Sequence, residues 1–114
     1  MRVRDIEWVI GWKALREPDP SMDKYRWKKG YRLIRGKVWF GKEDGETIAR
    51  TERGERIDAS ASAVFIKDKP IGIGWGVCVS VESGESCDYR ITKLADRGAY
   101  WRAELTGIPP EFRG

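Results

Sequence analysis

Residues 57–66 read Ile-Asp-Ala-Ser-Ala-Ser-Ala-Val-Phe-Ile, and their alternation decides the fold class. Ile57, Ala59, Ala61, Ala63 and Phe65 share one side. Asp58, Ser60 and Ser62 take the other, until that side turns apolar at Val64 and Ile66. A period of two belongs to a strand, whose successive side chains point to opposite faces of a sheet. Upstream, residues 46–51 supply a partner strand, with the turn at Arg53-Gly54, where glycine tolerates a positive φ.

The same punctuation continues downstream. Lys67-Asp68-Lys69-Pro70 interrupts the pattern, Gly72, Gly74 and Gly76 alternate with Ile73 and Trp75, and Val77, Val79 and Val81 resume it. A strand is therefore expected over 72–81, with a tight, twisted or bulged start at the glycines. Glu82-Ser83-Gly84-Glu85 reads as a turn, Tyr89, Ile91 and Lys93 as its return strand, and Asp96-Arg97-Gly98 as the next turn. A last strand follows over 99–106, and Pro109-Pro110 ends regular structure.

The first half alternates less regularly. Residues 4–16 fit a strand centred on Ile6, Trp8 and Ile10 or a short helix, with Gly11 and the tryptophans favouring strand. Glu17-Pro18-Asp19-Pro20-Ser21 reads as a loop, and residues 31–40 as a further strand. The expected fold is a single all-β domain over 1–114, a small antiparallel β-barrel or sandwich of about six to seven strands. A long basic loop or arm, a basic-aromatic excursion over 17–42, occupies its first half.

Composition agrees with one soluble domain. Apolar residues at 40 % and charged residues at 35 % describe a globular chain, and 114 residues bury a core without staples. No apolar run reaches membrane-helix length, and the N-terminus lacks a signal peptide's apolar region. No membrane partner is expected, and the protein is expected to be intracellular where it is made.

Charge is far from uniform. Residues 24–42 hold eight basic residues (Lys24, Arg26, Lys28, Lys29, Arg32, Arg35, Lys37, Lys42) and no acid. The net +4 is thus +8 in that segment, −1 before it and −3 after it. Tyr25, Trp27, Tyr31, Trp39 and Phe40 are interleaved with the cations. Such a segment gains free energy against a polyanion or an acidic protein surface. It reads as a nucleic-acid surface with stacking aromatics, as an arm docking on an acidic partner, or as a solvated strand face. The residues named for partner binding are Arg26, Trp27, Lys28, Lys29, Tyr31, Arg32 and Arg35.

Little points to catalysis. With no histidine, neither a Ser-His-Asp triad nor a histidine metal cluster can be built. Carboxylate chemistry stays open in principle, but Glu43, Asp44, Glu82, Glu85 and Asp96 fall in turn-like places. Gly72-Ile73-Gly74-Trp75-Gly76 is not a phosphate loop, since no Gly-Lys-Ser/Thr follows and the next segment is a valine strand. No enzyme, cofactor or metal is expected. Cys78 and Cys87 are the two cysteines. A hairpin turning at Ser83-Gly84 sets Cys78 opposite Tyr89 and Cys87 opposite Ser80, with the thiols diagonal and reduced.

The order of the second half resembles a known family. A strand through Arg50-Thr51-Glu52 turns at Arg53-Gly54-Glu55 and returns over 57–66. The 72–81 strand, Tyr89-Arg90-Ile91-Thr92, the Asp96-Arg97-Gly98 loop and a closing strand follow. This resembles the small head–tail connector proteins (head-closure or minor structural neck proteins) of tailed bacteriophages over residues 46–106. Gly72–Gly76 departs from it, standing where the family often has a Gly-Asp turn. The resemblance implies a structural virion protein that forms a ring around the DNA channel. It would bind a portal or adaptor protein on one side and a tail protein on the other. It also implies a homo-oligomer in the particle, a monomer when free, and location in the virion after the host cytoplasm; non-specific DNA contact is left open by the basic segment, which fits protein or DNA. The alternative is a small basic nucleic-acid-binding barrel or a phage-encoded inhibitor of a host protein.

Overall fold

The computed structural model describes residues 11–21, 26–40, 47–50, 56–67, 70–79, 87–109 and 111, with the backbone alone at 40, 47–50 and 56–58. Eight strands follow in order: β1 Gly11–Arg16, β2 Arg32–Phe40, β3 Thr47–Arg50, β4 Arg56–Asp58, β5 Ser60–Ile66, β6 Gly76–Cys78, β7 Tyr89–Asp96 and β8 Tyr100–Gly107. Six of them close into an antiparallel barrel in the order β1-β2-β5-β8-β7-β6, and β3 and β4 form a separate two-stranded sheet. β1, β2 and β5 run as a meander. The chain then crosses to the far side of β1, lays down β6 and β7, and returns with β8 beside β5. Closure leaves none of the six strands with a free edge. The expected Ile6, Trp8 and Ile10 strand segment lies outside the described residues, as do Val81 and the turn at 82–85.

The expected strand over 57–66 is in fact two. It breaks at Ala59, whose carbonyl accepts a bond from Gly107 N at 3.0 Å. β4 before the break pairs with β3, and β5 after it pairs with β2 and β8. A bend of this kind leaves the polarity pattern untouched, so alternation alone does not reveal it. The glycine-rich strand is shorter than its alternation implies. Among the described residues only Gly76–Cys78 is strand, while residues 72–75 turn at Gly74, where φ is 91°. That turn is still tied to β7, through Gly74 N to Ile91 O (2.8 Å) and Ile91 N to Trp75 O (2.9 Å). The expected Tyr89, Ile91 and Lys93 face also shifts, because a bulge between Ile91 and Lys93 on β7 resets the phase. Leu94 packs against the core and Lys93 is exposed.

The barrel interior is filled by Leu15, Ile34, Phe65, Val77, Tyr89, Ile91 and Leu105, with Ala61, Ala63 and Ala103 between them. Ala63 faces Ala103 across the β5–β8 ladder, and both are fully buried. Small residues at these inner positions leave space for Phe65 and Tyr89 in a narrow barrel. Gly36 serves the same end. A Cβ there would come within 2.5 Å of Phe65 Cδ1 and 2.7 Å of the Val64 carbonyl oxygen.

A second cluster lies apart from this core: Ala14, Cys78, Cys87 and Ile108 are buried, with Trp27 packed against them. In the β1 register, Ala14 alternates with the core residue Leu15, so this cluster coats the opposite face of β1 and β6. The cysteine register corrects the sequence-based expectation. Val77 pairs with Tyr89, one step away from the anticipated pairing of Cys78 with Tyr89. The two thiols meet at 3.7 Å, and neither is in a disulfide.

Candidate binding site: a basic-aromatic cleft at the barrel end

The connection from β1 to β2 begins as a short antiparallel ladder. Lys28 N donates to Glu17 O (2.8 Å), Asp19 N donates to Arg26 O (3.2 Å), and Pro18 bridges Trp27. Two further bonds pin it to the barrel: Arg16 Nη1 to Gly30 O (3.2 Å) and Trp27 Nε1 to Gly74 O (3.3 Å). Gly30, at φ 83°, then turns the chain into β2. Within the connection, the Ser21 hydroxyl and amide both donate to Asp19 Oδ1, which holds that carboxyl below its ordinary range.

Between this arm and the loop before β6 lies an open cleft of about 260 Å³. Lys28, Lys29, Tyr31 and Arg32 line it with Glu17 and Trp75. Arg32 Nη1 donates to Pro70 O at 3.1 Å, and its guanidinium stands 5.7 Å from the Trp75 ring centre. Lys28 is held by Glu17 at 3.3 Å, both ends exposed, an interaction of the weak surface kind. Tyr31 is 54 % exposed, and Arg16 lies 5.8 Å from its ring. The arrangement is a cationic bowl with aromatic sides.

Four of the seven residues named from sequence, Lys28, Lys29, Tyr31 and Arg32, are thus brought together. Arg26 is exposed on the arm, outside the cleft lining. Trp27 is half-buried and packs inward on the second cluster. Arg35 sits in the middle of β2, exposed, 5.3 Å from the ring of Trp12. Since β2 takes up 32–40, the described part of the connection before it is residues 17–21 and 26–31.

Arg35 belongs to a second basic-aromatic surface, the outer wall of β1, β2, β5 and β8. Lys37 and Arg102 approach the Trp39 ring at 5.1 and 5.3 Å. These two cations flank Val64 in the strand register, and Val64 is only 1 % exposed although it alternates with inward-facing Ala63 and Phe65. Stacked cations over indoles attract through the ring quadrupole and cover apolar surface with their stems. Glu104, on the same wall, is paired with Lys93 at 3.6 Å.

Sequence reading missed Trp75, Trp12 and Arg102 as members of these surfaces, while Trp39 was among the aromatics it set with the cations. Trp75 and Arg102 lie far along the chain from the basic run; the β1–β6 pairing brings Trp75 near it, and the β2–β5–β8 pairings bring Arg102. By strand parity Trp39 shares a β2 face with Arg35 and Lys37.

Beyond the cleft, Lys67 pairs with Asp96 and lies 4.6 Å from the Trp101 ring. The bond from Lys67, and then the one from Gly98 N (2.8 Å), hold the Asp96 carboxyl below 3.8, the ordinary value for aspartate. A depressed folded value means that the stabilisation is present above the unfolded pKa and is lost as pH falls through the folded one. In an NMR titration, the Asp96 midpoint is expected below 3.8, and Lys67→Met should raise it towards that value. An unmoved midpoint would remove Lys67 as the cause.

Among the described residues, no three His, Cys, Asp or Glu side chains are grouped to hold a metal ion. Comparison with protein-family models, curated proteins and solved structures finds no match.

Proposed function

We propose that this protein is a structural connector in the neck of a tailed bacteriophage. In this reading it forms a ring around the DNA channel and joins the portal or head side to the tail. The observation that carries it is the closed barrel with excursions at opposite ends. The arm at 17–31 leaves from one end, and the β3–β4 hairpin leaves from the other, between β2 and β5. A ring subunit needs two such ends, one for the protein above and one for the protein below. The cleft suits an acidic segment of a neighbouring protein: carboxylates would meet Lys29 and Arg32, with Tyr31 and Trp75 giving apolar contact. The virion, after synthesis in the host cytoplasm, is the corresponding location.

The second reading is a nucleic-acid-binding barrel. It is favoured by the outer wall, where Arg35, Lys37 and Arg102 stand beside Trp12 and Trp39. Light scattering over a concentration series, combined with negative-stain images, distinguishes the two. A connector is expected to give annular oligomers at high concentration. Lys29→Glu/Arg32→Glu should weaken the ring by about tenfold or more if the cleft takes a neighbouring copy, or leave it intact if the cleft faces the portal or tail. A chain that stays monomeric throughout yet binds a short DNA, with log affinity falling linearly in log salt, overturns the connector in favour of the second reading.

A further inference from the structure

Cys78 ends β6 and Cys87 stands two residues before β7, and their sulfurs are 3.7 Å apart. Both are buried, at 1 % and 0 % exposure, with Ala14 and Ile108, and Trp27 closes over the group. Gly76 shows how close that cover is, since a Cβ there would collide with Cys87 Sγ and come within 2.6 Å of Trp27 Cε2. A disulfide needs the sulfurs at about 2.05 Å, an approach of roughly 1.7 Å from where they stand. Side-chain rotation and a small adjustment at the irregular start of the hairpin can supply it. Asp88 N donates there to Val77 O and Val79 N donates to Asp88 Oδ2, so the ladder is already interrupted.

We propose that Cys78 and Cys87 are a redox-closable pair beneath the basic arm, oxidised by small disulfides of the glutathione class and gated by the lifting of Trp27. In the first step a cysteine thiolate attacks one sulfur of oxidised glutathione, forming a mixed disulfide and releasing one glutathione thiolate. The other cysteine gives up its proton and attacks the protein sulfur of that mixed disulfide, releasing the second glutathione. Two protein thiols lose two protons and two electrons, which one glutathione disulfide takes up to become two thiols. The bond to Cys78 and burial both push the Cys87 thiol up, so in the closed arrangement it is protonated and unreactive. Reaction therefore requires opening. The arm that lines the cleft is the cover, so its docking and the state of the pair are linked: a partner that clamps the arm slows oxidation.

The test is incubation of the full chain with oxidised glutathione, followed by intact mass and thiol counting. Loss of two hydrogens with no glutathione retained is expected, together with a rise in melting temperature of about 5 °C or more, since the bridge closes a short loop. Cys87→Ser should abolish the internal bridge. Trp27→Phe removes the indole bond to Gly74 O and should speed oxidation about threefold or more, and Trp27→Ala further still. Should Trp27→Ala fail to fold, the Phe variant decides the gating. Thiols that stay free at equilibrium, or that stop at two stable mixed disulfides, overturn the pair. A rate equal in wild type and Trp27→Phe overturns the gate.

Discussion

Phe65→Ala is expected to lower the free energy of unfolding by about 3–5 kcal/mol, the usual cost of emptying a fully buried aromatic site. Phe65 is 0 % exposed, in the core cluster of the barrel. Its ladder partners are Gly36 and Trp101, and neither strand can shift without breaking its own pairing in a closed sheet. Glycine opposite has no side chain to move into the void. Small domains are stable by about 5–15 kcal/mol, so the variant should sit close to its unfolding threshold at 37 °C. Urea unfolding checks this through the midpoint at constant slope. Phe65→Leu, which keeps most of the volume, should cost clearly less. Equal losses for the two variants would mean that the cavity is not the cause.

Gly76→Ala is expected to destabilise by about 1–3 kcal/mol, although alanine is ordinarily the better strand residue by about 0.5–1 kcal/mol. The opposite sign arises from the added methyl group, which would overlap Cys87 Sγ and press on Trp27 at 2.6 Å from Cε2 and 2.7 Å from Nε1. Trp27 is the freer of the two to move, so it should lift, losing its bond to Gly74 O. A red shift in tryptophan emission should accompany the lower melting temperature, and amides of the arm should exchange faster. In a Trp27→Ala background the same substitution should cost less, giving a coupling of about 1 kcal/mol or more in a double-mutant cycle. A neutral or stabilising Gly76→Ala would show that the arm does not rest on β6 as described.

Both expectations rest on contacts between segments distant in the chain, which separates what was legible from what was not. The strand content was legible because alternation is a local property. Ala61, Ala63 and Phe65 declared their buried face, and Asp96-Arg97-Gly98 declared a turn that Gly98 makes with φ 83°. The β3–β4 pairing was likewise announced by the Arg53-Gly54 turn signal between its strands. The bulge on β7, the break at Ala59 and the one-step cysteine register were not. Each shifts phase by a single residue or changes partner, and alternation carries no information about either.

The amino-acid sequence by itself determined an all-β domain and a concentrated positive charge in its first half, since polarity pattern and charge count need no partner to be read. Tertiary structure alone decided that the strands close into a barrel, because the β1–β6 and β5–β8 pairings join segments with no shared local signal. It also divided the basic run. Lys28, Lys29, Tyr31 and Arg32 went to a cleft with Trp75, Arg35 and Lys37 to an outer wall, and Trp27 to a buried cluster anchored 47 residues away at Gly74. The physical reason is closure itself: once every strand has two neighbours, the position of a side chain around the barrel is fixed by pairing rather than by its place in the chain.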